Sequence, residues 1–102
     1  MSEYLYVVQM DIPPEFEADF NRIYDTEHIP EMLKIPGMMG VKRYALEKAV
    51  PGVPKYAAHY RVATPDVPQS EAYVTASDIG QWKSKIRPHT FNLVRSLYKA
   101  LP

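Results

Sequence analysis

Residues 3–11, Glu-Tyr-Leu-Tyr-Val-Val-Gln-Met-Asp, alternate like a β-strand but carry bulky apolar groups on both of its sides. With a period of two, Tyr4, Tyr6, Val8 and Met10 share one face, and Leu5 and Val7 share the other. A later stretch repeats the pattern, with Tyr56, Ala58, Tyr60 and Val62 opposing Ala57, His59 and Arg61. An antiparallel sheet that shows one face to water needs only one apolar side. Here helices can cover one face, and the other still bears large apolar groups. Leaving that patch wet costs roughly 25 cal/mol per Å². The expectation is a second copy packing sheet against sheet, so that two sheets enclose a barrel-like interior with one pocket per subunit.

The remaining segments fit around such a sheet. Asp11-Ile12-Pro13-Pro14-Glu15 reads as a helix entry, with proline in the first turn and Glu15 and Glu17 at the positive end of the dipole. Phe16, Phe20, Ile23 and Tyr24 recur at helical spacing, while Asp19, Arg22 and Asp25 fall opposite. That helix is expected to run to about His28, to stop before Pro30, and to be followed by a short turn near Glu31 to Leu33. Met38 to Lys48 and Lys55 to Ala63 read as a hairpin around Val50-Pro51-Gly52-Val53-Pro54. A second helix is expected over Pro68 to Ala76. A further short one, capped by Ser77 or Asp78, carries Trp82 and Ile86 and ends at Pro88. His89 to Leu101 reads as a last strand, with Phe91, Leu93 and Leu97 alternating against Val94 and Tyr98. The spacing of Leu93, Leu97 and Leu101 also allows a helix there. The order β-α-β-β-α-β is the split βαβ, or ferredoxin-like, α+β arrangement with a four-stranded antiparallel sheet.

Composition narrows the function. The chain of 102 residues reads as a single domain spanning 1–102. Lys+Arg and Asp+Glu are 12 each, so no net positive field favours nucleic acid or an anionic membrane surface. There are no cysteines, which excludes a disulfide framework and thiolate metal sites. Met1-Ser2-Glu3 lacks the features of a secretory signal, and no apolar run approaches the roughly 20 residues that span a bilayer. A soluble, cytoplasmic protein is expected.

Tyr24-Asp25-x-Glu27-His28-Ile29-Pro30, then Leu33-x-x-Pro36-Gly37 and Val41-x-Arg43-Tyr44, resemble the EthD-like branch of the dimeric α/β-barrel superfamily. Trp82 ahead of Arg87-Pro88 and the closing Leu97-Tyr98 are similar to that branch as well, so the resemblance extends over most of the chain. It implies a ferredoxin-like homodimer with an interior ligand cavity. Members include cofactor-free monooxygenases, polyketide cyclases, lyases and haem-handling proteins, so the fold alone assigns no reaction.

Several residues are candidates for chemistry. His28 matches the histidine of the family motif and, with an ordinary pKa near 6.5, is a natural proton shuttle or ligand contact; it could equally hydrogen-bond the adjacent loop. Glu27 lies on the apolar stripe, seven residues after Phe20. It is either a base or orienter of His28, or a structural acceptor for the Pro30-to-Gly37 turn or for Arg43. His59 and Arg61 share one strand face and offer a proton-transfer group and an anion clamp if that face lines the dimer interior. Tyr24, Arg43, Tyr44, Tyr60 and Trp82 are candidate substrate contacts, and Tyr73 a further aromatic one; each also has a plain packing role. The spacing of His28, His59 and His89 fits no metal motif, and neither a phosphate loop nor a nucleophile elbow is present, so no metal or cofactor is implied. The expected partners are a second copy and a small molecule. The expected activity is that of a cofactor-independent lyase, cyclase or monooxygenase acting on a small hydrophobic or aromatic carbonyl compound by proton transfer in an interior cavity. The alternative is a non-catalytic module for binding or assembly.

Overall fold

The computed structural model describes residues 3–102. Strands β1 (Tyr4–Asp11), β2 (Met38–Ala45), β3 (Tyr56–Val62) and β4 (Phe91–Lys99) form one antiparallel sheet in the order β2-β3-β1-β4. Helices α1 (Glu17–Ile23) and α2 (Ile29–Met32) connect β1 to β2, and α3 (Glu71–Ser77) lies between β3 and β4. This is the expected ferredoxin-like α+β fold. β1 sits centrally because its own alternation offers apolar groups to two neighbours: Tyr6 pairs with Tyr60 on β3 and with Leu97 on β4.

All the helices pack on one side. Phe20, Ile23 and Tyr24 from the first helical stretch, with Trp82 and Ile86 from the second, are buried against Val8, Met10, Ala58, Tyr60 and Val62 of the sheet. The opposite side of the sheet presents Leu5, Val7, His59, Arg61 and, across the ladder, Lys42, Val94, Ser96 and Tyr98. On that side Tyr98 is 57% exposed, Tyr44 45% and Val94 40%, so the bare apolar face expected from the strand pattern is present on the single chain.

Four local expectations are corrected. The first helix does not stop before Pro30. It winds from Ile23 through a π turn at Tyr24–His28 into α2, the amide of Ile29 donating to the carbonyl of Tyr24, five residues back. Proline then falls in the opening turn of α2, directly after the π turn. Ser77 closes α3 rather than capping the next helix, and it is Ser70 whose hydroxyl accepts from the Tyr73 amide at 3.2 Å to start α3. The next segment is a second π turn, Trp82–Ile86, and Pro88 lies inside a single 3-10 turn, Arg87–His89, rather than ending the helix.

The last segment is a strand, paired with β1, and not a helix. Its alternation breaks near the start: Gln9 pairs with Val94 but Asp11 with Phe91, a bulge that puts Asn92 at φ 53°. Asparagine tolerates this left-handed conformation, and its side chain donates to Asp11 at 3.0 Å. Phe91 is thereby out of step with Leu93 and Leu97.

Candidate functional site

A chamber of about 410 Å³ lies between the helix-facing side of β1 and β4 and the segments carrying Tyr24, His28, Tyr73 and Trp82. Both π turns contribute to it. An extra residue per turn widens a helix locally and re-aims its side chains, which is why such turns recur at functional sites. Here the first turn directs Tyr24 and His28 onto one wall, and the second brings Trp82 against them. The His28 imidazole stacks on the Trp82 indole, with centroids 4.4 Å apart and planes at 24°. It meets Tyr24 edge-on at 4.9 Å.

His28 is 5% exposed, and its Nδ1 is buried without a hydrogen-bond partner. Burial, with the Arg87 guanidinium adding to it, pushes its pKa down to about 3. The imidazole is therefore neutral at neutral pH and keeps a lone pair. Beside it, the hydroxyls of Tyr24 and Tyr60 hydrogen-bond to each other. Burial raises the Tyr24 pKa to about 12, against an opposing pull from the Tyr60 hydrogen bond and the nearby Arg43. It raises Tyr60 well above the usual phenol value, the nearby Tyr24 adding to the effect. Both phenols stay protonated. One of their two O–H protons is used within the pair, so the other is left to give. Tyr6 and Tyr73 extend the aromatic wall, meeting edge-to-face at 5.9 Å, and burial raises Tyr73 as well.

Of the residues singled out in the sequence, Tyr24, His28, Tyr60 and Trp82 come together in the chamber, and Tyr73 joins them. Glu27 does not reach it. Its carboxylate accepts from the backbone N–H of Gln81 at 3.3 Å and from the Gln81 side-chain amide, tying the first π turn to the residue preceding the second. Gly80 is required beneath it: its φ is +70°, and a Cβ there would sit 2.8 Å from Glu27 Oε1. Arg43 lies behind the chamber wall. Its guanidinium is 4.5 Å from the Tyr24 ring centre and donates to Asp25 at 2.9 Å and Asn21 at 2.7 Å.

His59, Arg61 and Tyr44 lie on the bare face of the sheet, away from the chamber. Tyr44 packs on His59 at 4.6 Å, and Arg61 donates to the Met39 carbonyl at 3.3 Å. His89 stacks on Phe16 at 3.9 Å, so the three histidines occupy three separate places. Among the described residues no group of three or more His, Asp and Glu is placed to hold a metal ion. Among the described residues no helix is long and apolar enough to cross a membrane.

Tyr6, Arg87 and Arg95 also line the chamber, though none of them was a candidate site residue in the sequence. Tyr6 carried a signal in its strand parity, being on the Val8 and Met10 side. Arg87 is held by Asp78 at 2.8 Å and by the Ser77 carbonyl.

No known family matches the chain by sequence, and no curated protein does. Solved structures do match by shape. An ethyl tert-butyl ether D (EthD) family protein from Bacillus halodurans C-125 aligns at TM-score 0.65 and 16% identity, covering 99% of this chain and 100% of its own. A putative antibiotic biosynthesis monooxygenase from Nitrosomonas europaea aligns at TM-score 0.69 and 12% identity, over 97% and 90%. A dimeric ferredoxin-like protein of unknown function from Thermobifida fusca aligns at TM-score 0.63 and 11% identity, over 95% and 90%. The chain therefore has the ferredoxin-like fold shared by EthD and antibiotic-biosynthesis-monooxygenase structures. At these identities the likeness carries the fold and no activity.

Proposed function

We propose that this chain is a homodimeric, cofactor-independent enzyme of the EthD-like kind that enolises a small, flat, hydrophobic carbonyl compound in its helix-side chamber. The observation that carries the reading is the neutral, unpartnered His28 beside the Tyr24–Tyr60 hydroxyl pair in one aromatic pocket. In the step, His28 accepts a proton from the carbon next to the carbonyl. The C–H electron pair moves to the carbonyl oxygen, and the resulting enolate oxygen takes the free phenolic proton of the pair as a hydrogen bond. A phenol kept protonated by burial is a stronger donor to such an oxygen than water, since it is aligned beforehand. The enolate's charge also compensates the imidazolium, which burial and the nearby Arg87 disfavour. Cyclisation, elimination or reaction with dioxygen are the onward routes open to such an enolate.

The bare sheet face, with Val94, Tyr98 and Tyr44 exposed, supports pairing with a second copy, and the dimeric Thermobifida relative is consistent with it. His59 and Arg61 would then lie between the two sheets, as a contact surface or a second polar pocket.

The test is α-hydrogen exchange of 2-tetralone in D₂O, followed by NMR. Exchange catalysed by the protein is expected to fall about a hundredfold or more in His28→Ala, and to weaken in Tyr24→Phe. The low basicity of His28 favours one other reading, a ligand-holding module without turnover. Binding of 2-tetralone with no catalysed exchange would establish that reading in place of the enzyme.

A further inference from the structure

Arg95 is the chamber residue that the proposed chemistry leaves idle. It faces Val8 across the ladder, and Val8 in turn pairs with Ala58, so Arg95 occupies a helix-facing position in a row that is otherwise apolar. Its neighbours on the same side, Leu93 and Leu97, are 42% and 41% exposed and form an apolar rim. Arg95 is itself exposed, so its guanidinium stands at the open rim of the chamber, close enough to Tyr73 to act on that phenol. Among the described residues no carboxylate pairs with Arg95. The one acid in the chamber lining, Asp78, is taken by Arg87 at 2.8 Å and Lys83 at 3.5 Å. The lining thus holds two guanidinium groups against one carboxylate, a surplus of one positive charge located at Arg95.

Arg95 and the hydroxyl pair stand on different strands. Tyr60 is on β3 and Arg95 on β4, with β1 between them, and they are offset by one inward-facing position along the ladder. Two strand spacings of about 4.8 Å and one offset of about 6.7 Å put their backbones about 12 Å apart. A ligand with its negative charge at one end, its carbonyl or hydroxyl at the other, and a flat hydrophobic body between the aromatic wall and the leucine rim suits that separation.

We propose that Arg95 is the anion anchor of the chamber, and that its ligands are fused-ring aromatic or polyenol compounds bearing a carboxylate at the end remote from the reacting oxygen. Bidentate pairing with a carboxylate fixes orientation as well as affinity, because the planar guanidinium matches the two oxygens. Arg95 would thereby set which end of the ligand meets His28. The inference rests on the chamber being the ligand site, as proposed above, and specifies the class of compound it takes.

Trp82 is the sole tryptophan and lies in the chamber wall, so its fluorescence reports occupancy there directly. The experiment titrates the full-length protein with 6-hydroxy-2-naphthoate and with its methyl ester, in wild type, Arg95→Met and Arg95→Lys. Wild type is expected to bind the acid at least about tenfold more tightly than the ester, the factor that one charge-assisted bond supplies. That acid-to-ester ratio should fall to about one in Arg95→Met and recover in part in Arg95→Lys. Far-UV circular dichroism confirms folding of each variant, and the ratio within one variant is independent of its stability. If the ester quenches Trp82 but wild type shows no preference for the acid, or the preference persists in Arg95→Met, the anchor is refuted while the chamber reading stands. If neither probe quenches Trp82 in wild type, the chamber reading and the anchor fall together.

Discussion

The buried imidazole of His28 makes the fold sensitive to mild acid. Its pKa is about 3 in the folded chain, against an ordinary value of 6.5 when unfolded. Between those values the unfolded chain binds a proton that the folded chain refuses, so stability is complete above 6.5 and drains away as pH falls toward 3. At pH 5 the difference is RT ln[(1 + 10^1.5)/(1 + 10^−2)], about 2 kcal/mol, and at pH 7.5 it is close to zero. Because His28 is only 5% exposed, solvent screening takes little from this figure. Two carboxyls, the half-buried Glu17 and the exposed Asp78, stay out of the window. Glu17 is held low by its hydrogen bonds from Lys55 and Tyr56, and Asp78 chiefly by its bond from Arg87. Each begins from a usual value of 4.5 or 3.8 and loses its contribution only below that. Urea unfolding at pH 7.5 and pH 5.0, at one fixed protein concentration, reads the effect. With a slope of about 1–2 kcal/mol per M for a small chain, the midpoint should drop by about 1–2 M. His28→Phe keeps a ring against Trp82 but cannot titrate, so its midpoint should move far less between the two pH values. An equal drop in wild type and His28→Phe would refute the assignment of the buried neutral imidazole.

Other outcomes follow from the same geometry. Tyr24→Phe and Tyr60→Phe should each destabilise by about 1–2 kcal/mol, because each strands a buried hydroxyl. The double variant should cost less than the sum, since it strands neither; urea unfolding of the four proteins closes this cycle. Gly80→Ala meets both a positive φ and the Glu27 carboxylate, whereas Gly52→Ala meets the φ alone, with nothing within 4 Å. In thermal unfolding Gly80→Ala should therefore lower Tm further than Gly52→Ala, by roughly an extra 1 kcal/mol of instability. Sedimentation equilibrium should give twice the 11.7 kDa chain mass, and Tyr98→Asp should shift it toward the monomer; a wild-type monomer at micromolar concentration would end the dimer proposal.

Much of the architecture was readable because strand parity and helical spacing are strong signals. Tyr6, Val8 and Met10 declared the helix-facing side of β1, and Phe20, Ile23 and Tyr24 the buried stripe of the first helix. Pro30 misled because a proline ordinarily ends a helix. The π turn that absorbs it depends on packing of Tyr24 and His28 against Trp82, which no local pattern encodes. Asn92 likewise hid a bulge that only the pairing with Asp11 exposes. The site was half legible. Motif residues His28 and Tyr24 do face one chamber, but Glu27, on the apolar stripe by its spacing, turned to the Gln81 amides, since a carboxylate goes where donors are free. Arg95 was concealed by reading the last strand only for its leucines and aromatics, when its parity with Leu93 and Leu97 already pointed it inward.

A crystal structure grown with methyl 6-hydroxy-2-naphthoate would decide where this fold holds its ligand. The ester is expected between Trp82 and the strands β1 and β4, with a polar end at the Tyr24–Tyr60 pair and His28. Density lodged instead against His59 and Tyr44 on the other side of the sheet, with the helix-side chamber empty, would contradict the assignment of the site and the chemistry built on it.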